Sequence, residues 1–295
     1  MRPREFGALL RLCGVRAWRH NCLGVAKSAA YSALLAFFPL LTATAALLVQ
    51  IRAEPVTRVV ARALARALPP GTEGLALEYF RAHGQRPHEL LVVASLVSVW
   101  AASRVMTSLM EGFDAAYEAA AQRPFLRQQA VAILLVFASA VPAVLASVVI
   151  LLGTRTERAV IAWLGFLPAG RLFEHWVAWA GTALRYAVAF GTTVVVTALL
   201  YKLGPNRPQQ WRYVWPGAVL ATLLWLAATL AFSWYVRNMA EYNILYGSIG
   251  AVIALLIWMY VLAVVALVGC EFNAAYEQLA KRATLASAAG HRGRT

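Results

Sequence analysis

The chain has 295 residues, 61% of them hydrophobic and 14% charged, and its 27 Lys plus Arg against 13 Asp plus Glu give a net charge of +14. So apolar a composition excludes water as the solvent for most of the chain, and no Lys/Arg run interleaved with base-stacking aromatics suggests nucleic acid as a partner. Three cysteines without a CxxC pair imply neither a disulfide framework nor a zinc site.

Residues 1–27 read as an amphipathic N-terminal helix on the membrane surface. Phe6, Leu9, Leu10, Cys13 and Ala17 recur at helical spacing, with Arg4, Arg11, Arg16 and Arg19 lying largely elsewhere. The arginines also break any apolar core of a signal peptide, so no cleavage is expected. The first span is predicted at 28–51 and contains Tyr31 and Pro39; the proline should bend it and free carbonyls that need partners inside the bundle. Between 52 and 87, Arg58, Arg62 and Arg66 recur every four residues opposite an apolar face, which predicts an extracytoplasmic amphipathic loop helix.

The second span, 88–110, holds Trp100 and Arg104. Beyond it Glu111, Asp114 and Glu118 would share a helix face. With no His or Cys beside them, they read as a charged face entering water rather than a metal or acid–base site. Spans three to five are expected at 128–154, 175–201 and 213–236. Arg185 falls inside the fourth, about ten residues or roughly 15 Å in from His175. The turn before the fifth contains Pro205 and Asn206, and Pro216 with Gly217 is expected in that span's first turn, where a missing N–H costs nothing.

The last span, 242–270, has no charged residue and exceeds the roughly 20 residues needed to cross the hydrocarbon. It opens on Tyr242, Asn243, Tyr246, Gly247, Ser248 and Gly250, carries Trp258 at mid-length, and ends on Gly269, Glu271 and Asn273. A tail, 274–295, is expected to be partly disordered. Six spans put both termini on one side, and fifteen basic residues flank that side against ten on the other, so both termini are expected in the cytoplasm. The fold class is therefore all-α: a six-transmembrane-helix bundle with interfacial helices.

The YN..YGS opening, the mid-helix Trp258 and the GxExNA exit resemble the C-terminal signature of the YihY/BrkB family of bacterial inner-membrane proteins. The segments around Tyr31 and Pro39, around Trp100, and around Pro205 and Asn206 resemble family motifs too. Where the family usually has a serine two residues before the Phe–Pro pair, this chain has Ala36. The resemblance implies residence in the bacterial inner membrane and six membrane helices, but no reaction. An association of the family name with a ribonuclease is not supported by the residues, since five scattered His and a single Asp give no two-metal carboxylate cluster.

Intramembrane ionisable groups and interrupted helices are what substrate pathways are made from, so a transporter or lipid translocator is expected. The competing reading is a non-catalytic envelope protein that organises lipids or partners, in which Arg104 and Arg185 only pin helices together. No Ser/His, Asp/Asp or HExxH arrangement suggests an enzyme. The candidate polar site comprises Arg185, Arg104, Tyr242, Asn243, Tyr246, Ser248, Glu271 and Asn273. Membrane lipids, anionic ones included, are the expected partners; no catalytic residue, metal or cofactor is expected.

Overall fold

In a lipid solvent every backbone N–H and C=O must be satisfied within the protein, and long charge-free segments achieve this as helices. The computed structural model describes the backbone of residues 3–50, 88–119, 123–164, 171–238 and 240–292, and side chains over 7–44, 92–119, 123–144, 146, 179–236 and 250–282. Among these residues there are seven α-helices and no strand: α1 (Pro3–Arg19), α2 (Cys22–Gln50), α3 (His88–Ala116), α4 (Phe125–Leu164), α5 (Arg171–Leu203), α6 (Trp211–Asn238) and α7 (Ala240–Arg292). Six of them, α2 to α7, are long and apolar enough to span a membrane. The expected interfacial helix of residues 52–87 lies outside the described residues.

Boundaries shift where polar residues turn out to be packed. The first spanning helix begins at Cys22, not Ser28, because a sharp two-residue turn, His20–Asn21, already separates it from α1. Asn21 makes that turn with φ of 53°, a left-handed conformation that Asn tolerates better than most residues. The helix α3 runs on to Ala116. Glu118, with φ of 50°, is past its end, so the expected Glu111–Asp114–Glu118 face is not a continuous helical one. The last helix continues to Arg292 without a break at Asn273.

Successive helices pack side by side. Contacts are most extensive between α2 and α3, α4 and α5, and α6 and α7; α3 meets α4, α5 meets α6, and α7 returns to α2 to close a ring. In addition α7 touches α3 and carries α1, so it is the element with most neighbours. The α1–α2, α3–α4 and α5–α6 turns and the C-terminal part of α7 share one end of the bundle, hereafter the basal end. The main core lies toward it and is rich in small residues: Ala26, Ala29, Ala198, Ala218, Ala221 and Ala274 surround Phe113, Tyr201 and Leu267. Small side chains let helix backbones approach closely where lipid offers no hydrophobic drive for association.

The closest approach is between α6 and α7. A Cβ on Gly217 would lie 2.3 Å from the Gly269 carbonyl oxygen, and one on Gly269 would lie 2.3 Å from the Tyr201 hydroxyl. That hydroxyl donates to Ala266 O at 2.7 Å, so three helices meet at this point. Further along the same pair, Trp258 is buried with its ring 5.1 Å from that of Phe232. Gly250 is buried too, whereas the side chains of 242–249 lie outside the described residues.

Gly217→Ala should therefore lower the melting temperature of the detergent-purified protein, at an overpacking cost of about 1–3 kcal/mol. Gly191→Ala, which would meet nothing within 4 Å in α5, should be neutral or slightly stabilising. Equal melting of the two variants would contradict the close crossing.

Candidate functional site

Residues of α1 and the turn after it at spacing i, i+4, i+7 and i+11 face α7. Leu9 and Cys13 pack against Phe272 and Ala275, and Arg16 and His20 continue the same stripe toward the turn. Arg16 is thus not one of the outward charges of a surface helix; it is 8% exposed. Between the helices, the Cys13 thiol donates to Val268 O at 3.4 Å, and burial, reinforced by the Glu271 carboxylate, pushes that thiol up to about 11.

The group these residues converge on is Glu271, which has no exposed surface. Arg16 Nε donates to its Oε2 at 3.2 Å, His20 Nδ1 meets its Oε1 at 2.5 Å, and the Cys22 thiol reaches Oε1 at 3.8 Å. The rest of the Arg16 guanidinium is used as well. It donates to Gln278 Oε1 at 2.9 Å and to Ala116 O at 2.7 Å, and it stands 3.5 Å from Glu118 Oε1. One side chain from α1 therefore ties the end of α3 to α7. Glu118 finds its role here, as an exposed second carboxylate just past the C-terminus of α3.

Two residues on, Asn273 repairs a helix. Pro216 is the sixth residue of α6, which starts at Trp211, rather than a first-turn proline; inside a helix it removes a backbone donor and its ring crowds the preceding turn. The Asn273 carboxamide bridges that point, accepting from Gly217 N–H at 2.6 Å through Oδ1 and donating to Val214 O at 2.9 Å through Nδ2. Asn273 has no exposed surface. Gly217 lets the carboxamide in, because a Cβ there would lie 2.4 Å from Oδ1.

The α5–α6 turn is held by a second arginine. Arg123 donates to Gly204 O at 3.0 Å, Leu203 O at 3.2 Å, Pro205 O at 2.7 Å and Asn206 Oδ1 at 3.0 Å. The Asn206 N–H donates to Asp114 Oδ1 at 2.5 Å. Pro205 and Asn206 are thus the two halves of a clamp that seats the turn on α3. Arg207 donates to Glu277 Oε1 at 2.9 Å and stacks over Tyr117, 5.8 Å from the ring centroid. Among the described residues the Tyr117 hydroxyl and Glu277 Oε2 have no hydrogen-bond partner, and burial pushes the Tyr117 phenol up.

The expected site is divided by this geometry. Glu271 and Asn273 lie together in the basal core, whereas Arg185 lies 18 residues, or about 27 Å, from the basal end of α5. There it is half-buried and donates to Thr182 Oγ1 of its own helix at 2.9 Å. Arg104 is exposed on α3, with its guanidinium 6.0 Å from the Trp100 ring centroid. Tyr31 is 61% exposed and Pro39 half-buried within an α2 that continues past it. Tyr242, Asn243, Tyr246 and Ser248 have side chains outside the described residues. Sequence reasoning missed Arg16, His20 and Arg123. The available signal for the first two was their spacing from Leu9 and Cys13.

Breaking a buried pair by removing one partner leaves an uncompensated charge and costs about 3–5 kcal/mol, while replacing both by apolar groups is often neutral. Arg16→Met should therefore sharply lower thermal stability in detergent. Arg16→Met combined with Glu271→Leu should recover much of the loss, and a double variant as unstable as the summed singles would refute the coupling.

Comparison with known proteins gives a match to the family model described as virulence factor BrkB over residues 14–292. YfkH of Bacillus subtilis, provisionally named ribonuclease-like, is 32% identical over 185 residues, covering 63% of this chain and 65% of that protein. UPF0761 membrane proteins of Chromobacterium violaceum and Chlorobium luteolum are each 26% identical, covering 88% and 83% of this chain and 60% and 55% of their own lengths. The chain thus spans less than two thirds of the length of these curated relatives. No solved structure matches. With six spanning helices, the buried GxExNA glutamate and asparagine in place, and a family match from the first helix to the last, the chain is a multi-pass bacterial membrane protein that belongs to the virulence factor BrkB family.

Proposed function

We propose that this protein is a transporter of the bacterial inner membrane that moves an amphiphile with an anionic group, a lipid included, and that it is not an enzyme. The observation that carries the reading is Arg104. It is exposed on a spanning helix, 12 residues or about 18 Å from the basal end, and among the described residues its guanidinium meets the face of Trp100 on its own helix. An arginine at such depth costs about 2.5–3.5 kcal/mol on insertion scales. A planar five-donor fork that is not consumed by helix packing suits a passing phosphate or carboxylate.

The polar groups of the basal end support a division of labour. Arg16, Glu271, Arg123, Asn206 and Asn273 are occupied with joining helices, which makes that end a fixed frame rather than a pathway. The ribonuclease-like name of YfkH does not transfer well, because the single Asp and scattered His of this chain offer no two-metal site. In this reading the basal end faces the cytoplasm, in keeping with the fifteen-to-ten bias of flanking basic residues.

Two measurements test the proposal. Proteoliposomes containing tail-labelled fluorescent phosphatidylglycerol should show dithionite bleaching of the inner leaflet. Arg104→Gln should slow it by roughly tenfold, the factor matching 1.4 kcal/mol of lost attraction, with unchanged melting. Bleaching no faster than in protein-free vesicles would exclude lipid translocation and favour a role in organising lipids or partners. For topology, a cysteine placed at Thr72 should react with an impermeant maleimide in intact cells and one at Gly290 should not; the reverse pattern would invert the assignment.

A further inference from the structure

The elbow between α1 and α2 frames a half-open cavity of about 240 Å³ lined by Ala17, Trp18, Asn21, Leu23, Gly24 and Lys27. It exists because two residues turn the chain at Asn21, so that the last turn of α1 overhangs the first two turns of α2. Gly24 keeps its floor open: a Cβ there would fall 2.5 Å from the Asn21 carboxamide nitrogen. None of this space is used by the ion pairs of the basal core, which lie on the opposite, α7-facing side of α1.

Three properties of the lining define an occupant. Lys27 is exposed and lies five residues, or about 7.5 Å, inside the spanning segment that starts at Cys22, a depth from which an ammonium reaches the headgroup level. Trp18 is 77% exposed, and an indole beside a span boundary is the side chain that partitions to the membrane–water interface. Leu12, Val15 and Leu23 are exposed around it, so an apolar lip adjoins a cationic pocket, while Arg11 and Arg19 add positive charge to the same outward side of α1. The volume is below the roughly 300–1,000 Å³ that encloses a whole small ligand, which fits a headgroup with its acyl chains left outside.

We propose that the α1–α2 elbow is a seat for the phosphodiester headgroup of an anionic glycerophospholipid, with Lys27 on the phosphate, Asn21 on the glycerol or headgroup hydroxyls, and Trp18, Val15 and Leu23 against the chains. The site stands apart from the transport reading, since it requires only that a lipid be retained and not that one be moved. By seating a lipid against both helices, it would fix the angle at which α1 leaves the bundle.

The test is native mass spectrometry of the full chain in mixed micelles titrated with dioleoylphosphatidylglycerol, with dioleoylphosphatidylcholine for comparison. The expected result is a retained phosphatidylglycerol in the parent, with affinity lowered roughly tenfold by Lys27→Gln, restored by Lys27→Arg and lowered by Trp18→Ala. Arg127→Gln, which removes an exposed charge from α4 at the same end, should bind as the parent does. Millimolar inorganic phosphate should not displace the lipid. Equal retention by the parent and Lys27→Gln, no preference over phosphatidylcholine, or displacement by inorganic phosphate would each overturn the proposal. All these variants replace exposed side chains, and unchanged melting temperatures confirm that binding and not folding is being read.

Discussion

Taking the carboxylate of Glu271 fully out of water costs several kcal/mol, and the cost is offset only while Arg16 and His20 hold it. Both come from the N-terminal helix and its turn, some 250 residues away along the chain. Docking of α1 is therefore a condition for burying the end of α7. Because α7 contacts α1, α2, α3 and α6, the charge balance at one atom pair reaches most of the bundle. Arg16 extends that reach by binding the terminal carbonyl region of α3 through Ala116 O.

The GxExNA segment distributes three structural tasks over five residues on α7. Gly269 permits the close crossing with α6, Glu271 anchors α1, and Asn273 satisfies the backbone that Pro216 disturbs. Positions two apart on a helix point about 200° from one another, so Glu271 faces α1 while Gly269 and Asn273, four apart, share the face toward α6. A glycine, a glutamate and an asparagine are needed because the close α6 crossing, the Arg16 guanidinium and the interrupted α6 backbone demand space, charge and a paired donor–acceptor respectively. With the basal end committed to such joints, the intramembrane arginines at other levels stand apart from it chemically as well as in position.

The spans and the all-helical class were legible because twenty or more apolar residues leave a chain few alternatives in lipid. The polar exit of the last span was legible as unusual, but its purpose was not. Asn273 works on a helix 56 residues earlier, and such a pairing leaves no periodicity in the chain. Pro216 looked like a helix-starting proline because Trp211 to Trp215 resembled an aromatic anchor outside the span; in fact they already form the first turns of α6. Contrary to the expectation from the sequence, Arg16 does not lie apart from the apolar face with the other arginines of α1. Its register with Leu9 and Cys13 marks it as inward, while Arg11 and Arg19 are outward. Arg185 stood out from its surroundings in hydropathy, which reports depth and says nothing about neighbours on other helices.

The three cysteines, all free and buried, cluster where α1, α2 and α7 meet. Thiolates rather than thiols are the nucleophiles, and burial keeps an alkylating reagent away from all three. Alkylation in the native protein must therefore wait for α1 to lift away from α7, exposing Cys13 first. The wild-type chain thus contains its own clock for basal opening: the rate of thiol modification under native conditions measures how often the N-terminal helix lets go, with no label introduced.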